Sequence, residues 1–218
     1  MTWEALSIIG TIAFAVSGAL VAMEEEYDIL GVLVLGLVTA FGGGIIRNLL
    51  IGVPVSTIWE QGLLLKVAIF SILIIFLLPV NWIHAGKRWL TLFDAIGLSA
   101  FAIQGALYAT SMNHSISAVM VAAMMTGIGG GIIRDVLARR KPLVLRDEIY
   151  AAWAILLGLI ISLGNVGYDQ PVQLYLLFAL GVTLRMVSVY FNWRLPRRSL
   201  RDHNRPKTKS KWRKMTTV

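Results

Sequence analysis

Two of the arginines inside the apolar stretches of this 218-residue chain each follow a run of three glycines. Arg47 comes three positions after Gly42, Gly43 and Gly44, and Arg134 three positions after Gly129, Gly130 and Gly131; two isoleucines fill both gaps. A guanidinium stays charged at physiological pH and carries five donors. Placed against lipid it costs about 2.5–3.5 kcal/mol on insertion scales, so a path lined with water, carbonyls or a solute suits it better. The bland alternative is snorkelling to the headgroups. Asp135 stands next to Arg134 as a candidate local partner, whereas the matching position after Arg47 is the neutral Asn48. Asp94 and Arg185 are two further charges in apolar surroundings. For Asp94 the readings are stabilisation of a helix N-terminus or pairing with Arg185. Thr39, Thr126, Ser17 and Gln104 add uncharged polar groups that suit a desolvated ion, an amino acid or plain helix–helix hydrogen bonding.

These groups fit the handling of a small solute better than bond-making. An intramembrane enzyme needs catalytic side chains gathered at one depth, and the charges are spread out. With no cysteine, and with His84, His114 and His203 scattered, no metal-ligand spacing appears and no cofactor is expected. The triplets themselves have two readings. Glycine frees the backbone to leave the helix, at about 1 kcal/mol each relative to alanine; it also permits close helix packing. The doubled pattern favours a pore-lining kink.

The elements that position these residues are membrane spans. The chain is 57% hydrophobic and 15% charged, with a mean hydropathy of +0.73. Its apolar runs approach the ~20 residues needed to cross a ~30 Å hydrocarbon core. Expected spans cover residues 3–23, 29–50, 62–78, 90–110, 116–137, 148–163 and 172–193. Glu4, and the lack of Lys or Arg before the first run, argue against a signal peptide. The net charge of +8 belongs to the tail: from Arg194 onward ten Lys/Arg face one acid, Asp202. That tail is expected to anchor on anionic inner-leaflet lipid rather than to bind nucleic acid. Lys87, Arg88, Arg139, Arg140, Lys141 and Arg146 fall on the same side as the tail. The positive-inside rule then puts the N-terminus outside and the C-terminus in the cytoplasm.

The glycine–arginine phrase recurs at an offset of 87 residues, and the register extends well beyond it. Over residues 10–23 and 97–110, eight of fourteen positions are identical, Phe14/Phe101 and Gly18/Gly105 among them, and Thr39 falls on Thr126. The repeated unit holds three spans, an odd number, so the copies cross the membrane in opposite senses, an arrangement that places solute sites near the midplane. The expected fold class is an all-α polytopic membrane protein with seven transmembrane helices. Its parts are repeat 1 (residues 1–86), repeat 2 (87–170), a seventh span (171–193) and the basic tail (194–218).

The doubled triplet with its arginine, the segment from Asp94 through Phe101 and Gly105, and the stretch from Lys141 to Glu148 resemble a bacterial membrane family. That family carries a glycine-transporter domain and is similar in fold to trimeric intracellular cation (TRIC-type) channels. The resemblance implies a homotrimer in the plasma membrane, each protomer with its own pore lined by kinked second and fifth spans. The solute it implies is a small cation, with K⁺ as the default, or a small amino acid such as glycine.

Overall fold

The computed structural model describes residues 2–79, 86–146 and 149–193. The basic tail from Arg194, the connection around His84, and the side chains of Lys87, Arg88 and Arg146 lie outside the described residues. Those described form eight α-helices: α1 (Thr2–Glu24), α2 (Ile29–Ile51), α3 (Gly62–Leu77), α4 (Gly86–Ser111), α5 (Ile116–Leu137), α6 (Leu143–Arg146), α7 (Tyr150–Leu163) and α8 (Pro171–Tyr190). A 3-10 turn covers Val55–Ile58, and no strand occurs among the described residues. Five of the helices, α1, α2, α4, α5 and α8, are long and apolar enough to cross a membrane. With 16 and 14 residues, α3 and α7 reach about 24 and 21 Å at 1.5 Å per residue.

Local chemistry sets the boundaries. Asp28 caps α2 by accepting the Gly31 N–H at 2.7 Å, and Gly52 ends that helix with φ of 77°, a left-handed conformation that glycine adopts without penalty. Pro171 opens α8, where its missing N–H leaves no bond unmade.

The packing follows the 87-residue register. The mostly buried α1 and α4 lie side by side at the centre. α2 packs on α1 as α5 packs on α4, α3 lies against α1 and α2, α7 against α4 and α5, and α8 against α4 and α7. Phe14 and Phe101, one from each copy, meet edge to face at 5.1 Å. A Cβ at Gly97 would overlap the Phe14 ring, and one at Gly10 would lie 3.0 Å from Phe101. Large apolar side chains such as Leu30, Phe70, Leu77 and Leu176 point outward, the reverse of a water-soluble surface.

The connections separate into two ends as an alternating path requires. At one end Trp3 meets Tyr108 at a tilt, 5.4 Å between ring centres, and Tyr168 edge to face at 5.0 Å. At the other, the Tyr27 hydroxyl donates to the Leu137 carbonyl at 3.0 Å, and Arg140 donates to Glu24 at 2.8 Å and Glu25 at 2.6 Å. Partial burial pulls the Arg140 pKa down, but the hydrogen bonds and charges of the two glutamates outweigh it and raise the value above normal.

One expectation is corrected. Both α2 and α5 run as continuous α-helix through their glycine triplets, so the backbone does not leave the helix there. In a membrane every freed N–H and C=O lacks water, and the intrahelical bond is the cheapest partner. The glycines serve close packing instead. A Cβ on Gly43 would overlap the Thr126 carbonyl oxygen, and one on Gly130 would overlap the Thr39 carbonyl oxygen. The two helices therefore cross backbone to backbone, with Cα–H facing carbonyl oxygen as a weak hydrogen bond.

Candidate functional site: two buried arginine clusters flanking the glycine crossing

Each arginine is held by the helix that carries it and by the helices its own helix packs on. Arg134 is 1% exposed. Its Nη1 donates to Asp94 Oδ1 at 2.6 Å, Nη2 to Asp94 Oδ2 at 3.2 Å, and Nε to Asp135 Oδ1 at 2.8 Å. Ser17 on α1 completes the knot: its hydroxyl accepts from Arg134 Nη1 and donates to Asp94 Oδ1 at 2.6 Å. The second oxygen of Asp135 accepts the Leu143 N–H at 3.0 Å, which pins the start of α6. Beside this cluster the Arg185 guanidinium, 1% exposed, lies 4.5 Å from the centre of the Tyr150 ring. The remaining gap among Asp94, Gly131, Arg134, Asp135 and Tyr150 is only about 10 Å³, room for about one water. This end is tightly filled.

The expected position of Asp94 also changes. Because α4 begins at Gly86 rather than near residue 90, Asp94 sits two turns inside the helix and does not stabilise an N-terminus. The partner that the structure gives it is Arg134.

Arg47, 3% exposed, stands in the second cluster. Its Nε and Nη2 both donate to Asn48 Oδ1, at 3.1 and 2.8 Å, and its guanidinium lies 4.2 Å from the Tyr108 ring centre. Asn48 Nδ2 donates to Thr57 Oγ1 at 3.0 Å, and Thr57 in turn donates to the Pro54 carbonyl at 2.8 Å. That chain ties the 3-10 turn to α2, much as Asp135 ties α6 to α5. Gln104 Nε2 donates to the Ser7 hydroxyl, which donates to the Trp3 carbonyl at 2.8 Å.

The two clusters match residue for residue at the offset of 87. Arg47 corresponds to Arg134, Asn48 to Asp135, Ser7 to Asp94, and Gln104 to Ser17. The chemistry differs: Asp94 and Ser17 both bond Arg134, whereas Ser7 and Gln104 bond each other. Arg134 has two carboxylates on it, whereas no carboxylate among the described residues pairs with Arg47.

A cavity of about 120 Å³ opens at the Arg47 end. Ser7, Arg47, Asn48, Gln104 and Tyr108 line it, and it reaches inward to Thr126 at the glycine crossing. It is bounded by α1, α2, α3 and α4, with Thr126 as the contribution of α5. α2 and α5, between which a pore is expected, touch at the triplets, and this cavity lies beside their contact. Thr39 and Thr126 flank the crossing, each hydroxyl donating at 2.6 Å to the carbonyl four residues earlier, Leu35 and Ala122. Of the residues singled out in the sequence, Ser17, Asp94, Arg134 and Asp135 come together at one end. Arg47 and Gln104 line the cavity at the other, and Arg185, on α8, lies beside the first group on the Tyr150 ring. Ser7, Tyr108 and Tyr150 join them, together with Asn48, which the sequence offers only as the neutral counterpart of Asp135. The repeat register marks Ser7 and Asn48, as partners of Asp94 and Asp135; nothing comparable marks the two tyrosines.

Comparison with known proteins gives a consistent picture. A family model described as "Glycine transporter" matches residues 4–79 and 91–165. The UPF0126 membrane protein YvgT of Bacillus subtilis (strain 168) is 63% identical over 204 residues, covering 94% of this chain and all of the relative. Among solved structures, one described as the structural basis for conductance through TRIC cation channels superposes with a TM-score of 0.81 at 36% identity, covering 92% of this chain and 98% of the other. The TRIC trimeric intracellular cation channel orthologue from Rhodobacter sphaeroides gives 0.74 at 33% identity, with 88% and 98% covered.

Proposed function

Since the chain belongs to the glycine-transporter-domain family of multi-pass bacterial membrane proteins, and its fold is that of the TRIC cation channels, we propose that it is a membrane channel passing a small monovalent cation, K⁺ first. The observation that carries this reading is the placing of the two clusters. A polar cavity runs from one end of the bundle to the glycine crossing, and an arginine held by two aspartates closes the other end. In this reading the described conformation is a shut one, and the Arg134–Asp94–Ser17 knot is the gate. Opening parts Arg134 from Asp94 and lets the cavity continue past Thr126 and Thr39. The two inverted units, residues 1–86 and 87–170, supply one cluster each, and the span at 171–193 braces α4. The protomer works in a homotrimer in the plasma membrane. Its N-terminus is outside, and the tail from Arg194 lies on anionic cytoplasmic lipid.

A second reading, secondary transport of a small amino acid such as glycine, draws on the family description and on Arg47, whose lack of an acidic partner suits a carboxylate. Flux into proteoliposomes separates the two. K⁺ alone should give ohmic current; saturable glycine uptake driven by a proton or sodium gradient, without K⁺ current, replaces the channel by the carrier.

A further inference from the structure

The unequal clusters carry an inference about Arg47 that takes the carboxylate of the second reading above and gives it a site. Moving an ion out of water costs several kcal/mol unless a counter-charge or well-placed dipoles repay it. At Arg134 two carboxylates do so. At Arg47 only neutral groups stand: Asn48 takes the place of Asp135 and accepts both of its hydrogen bonds, Ser7 takes the place of Asp94 in the repeat but bonds to Gln104 instead, and a tyrosine ring covers one face of the guanidinium. Arg47 is nonetheless only 3% exposed, and it borders a cavity rather than solid packing. The cavity has about the volume of four waters at roughly 30 Å³ each. Hydrogen-bonding side chains line it, namely Ser7, Thr11, Gln61 and Gln104.

We propose that this cavity is a binding site for a small carboxylate of about two or three carbons, held on Arg47. The ligand's carboxylate supplies the negative charge that Asp94 and Asp135 supply to Arg134. A planar carboxylate matches the fork of a guanidinium and forms charge-assisted hydrogen bonds with it. Ser7 and Gln104, equivalent in the repeat to Asp94 and Ser17, line the cavity beside Arg47 and are hydrogen-bonded to each other; they are the side chains that meet the ligand's remaining lone pairs. Acetate and the carboxylate end of glycine share this chemistry, and the site reads the carboxylate. Binding does not depend on which solute crosses the membrane, so its failure and failure of the channel reading are separate results.

The test is isothermal titration of the purified full-length protein in nanodiscs, with chloride-free buffer, using sodium acetate, glycine and glycinamide. Acetate and glycine should bind saturably and compete, while glycinamide, which lacks the carboxylate, should not. Asn48→Asp gives Arg47 the partner that Arg134 already has. It should weaken acetate binding by about tenfold or more, the scale of one charge-assisted contact, without loss of thermal stability. Arg47→Gln should do the same if it folds; Asn48→Asp decides the matter if it does not. No acetate binding to the wild type, equal binding to Asn48→Asp, or glycinamide binding as well as glycine would each overturn the site.

Discussion

At the scale of the residue, the knot on Arg134 is the most consequential contact. Asp94 accepts two charge-assisted hydrogen bonds from Arg134 and one from Ser17, and hydrogen bonds to charged groups contribute about 1.5–3 kcal/mol each. Asp94→Asn should therefore lower thermal stability clearly more than Ser17→Ala, which removes only a hydroxyl; equal melting temperatures for the two variants would show that the ion pair matters little. Part of this knot is legible in the sequence. Asp135 adjoins Arg134, and its role as a local partner follows from that adjacency. Asp94 was harder, because Lys87 and Arg88 suggest that the span starts after them. The helix in fact begins at Gly86, which carries Asp94 inward to a residue 40 positions away. Placing the two together needs the packing of α4 on α5, and no local pattern encodes that.

At the scale of the element, the glycine triplets are where local propensity misleads. Three adjacent glycines weaken a helix in water, and that weakness reads as a break. Within a membrane, continuous hydrogen bonding wins, and what remains is the absence of a Cβ. The positions within a triplet are accordingly unequal. Gly43 and Gly130 each face a carbonyl oxygen on the opposing helix, whereas a Cβ on Gly44 has nothing nearer than Arg47 Nη2 at 3.9 Å, and one on Gly131 nothing nearer than the Tyr150 hydroxyl at 3.7 Å. Gly43→Ala and Gly130→Ala should each destabilise by about 1–3 kcal/mol or more, the usual cost of forcing extra carbon into a packed contact. Gly44→Ala and Gly131→Ala should cost little. Thermal unfolding in detergent of the four single variants measures this directly, and four equal losses would contradict the crossing.

At the scale of the whole molecule, the duplication was legible because one register of 87 holds across two spans, and the contacts of α1 with α2 and of α4 with α5 follow it. The boundaries of α3 and α7 matched the hydropathy well, yet both are short for a full crossing. The short helical segments after α2 and α5 had no periodic signal of their own. The proposed orientation is open to a simple test, since the chain has no native cysteine. His114 and Lys141 are both exposed, and the topology puts them on opposite sides. In intact cells an impermeant maleimide should label His114→Cys and spare Lys141→Cys. The reverse pattern inverts the molecule in the membrane.

The contacts between the two copies are reciprocal. Gly43 meets Thr126 as Gly130 meets Thr39, and Phe14 sits over Gly97 as Phe101 sits over Gly10. That is the signature of an isologous interface, the kind that joins identical partners about a two-fold axis. A lone three-helix unit could thus complete itself with a twin inserted upside down, but such a homodimer would be obliged to have identical ends. Fusion into one polypeptide lifts that obligation. It lets an aspartate stand at one end where an asparagine stands at the other, and so gives a nearly symmetric object an electrical polarity.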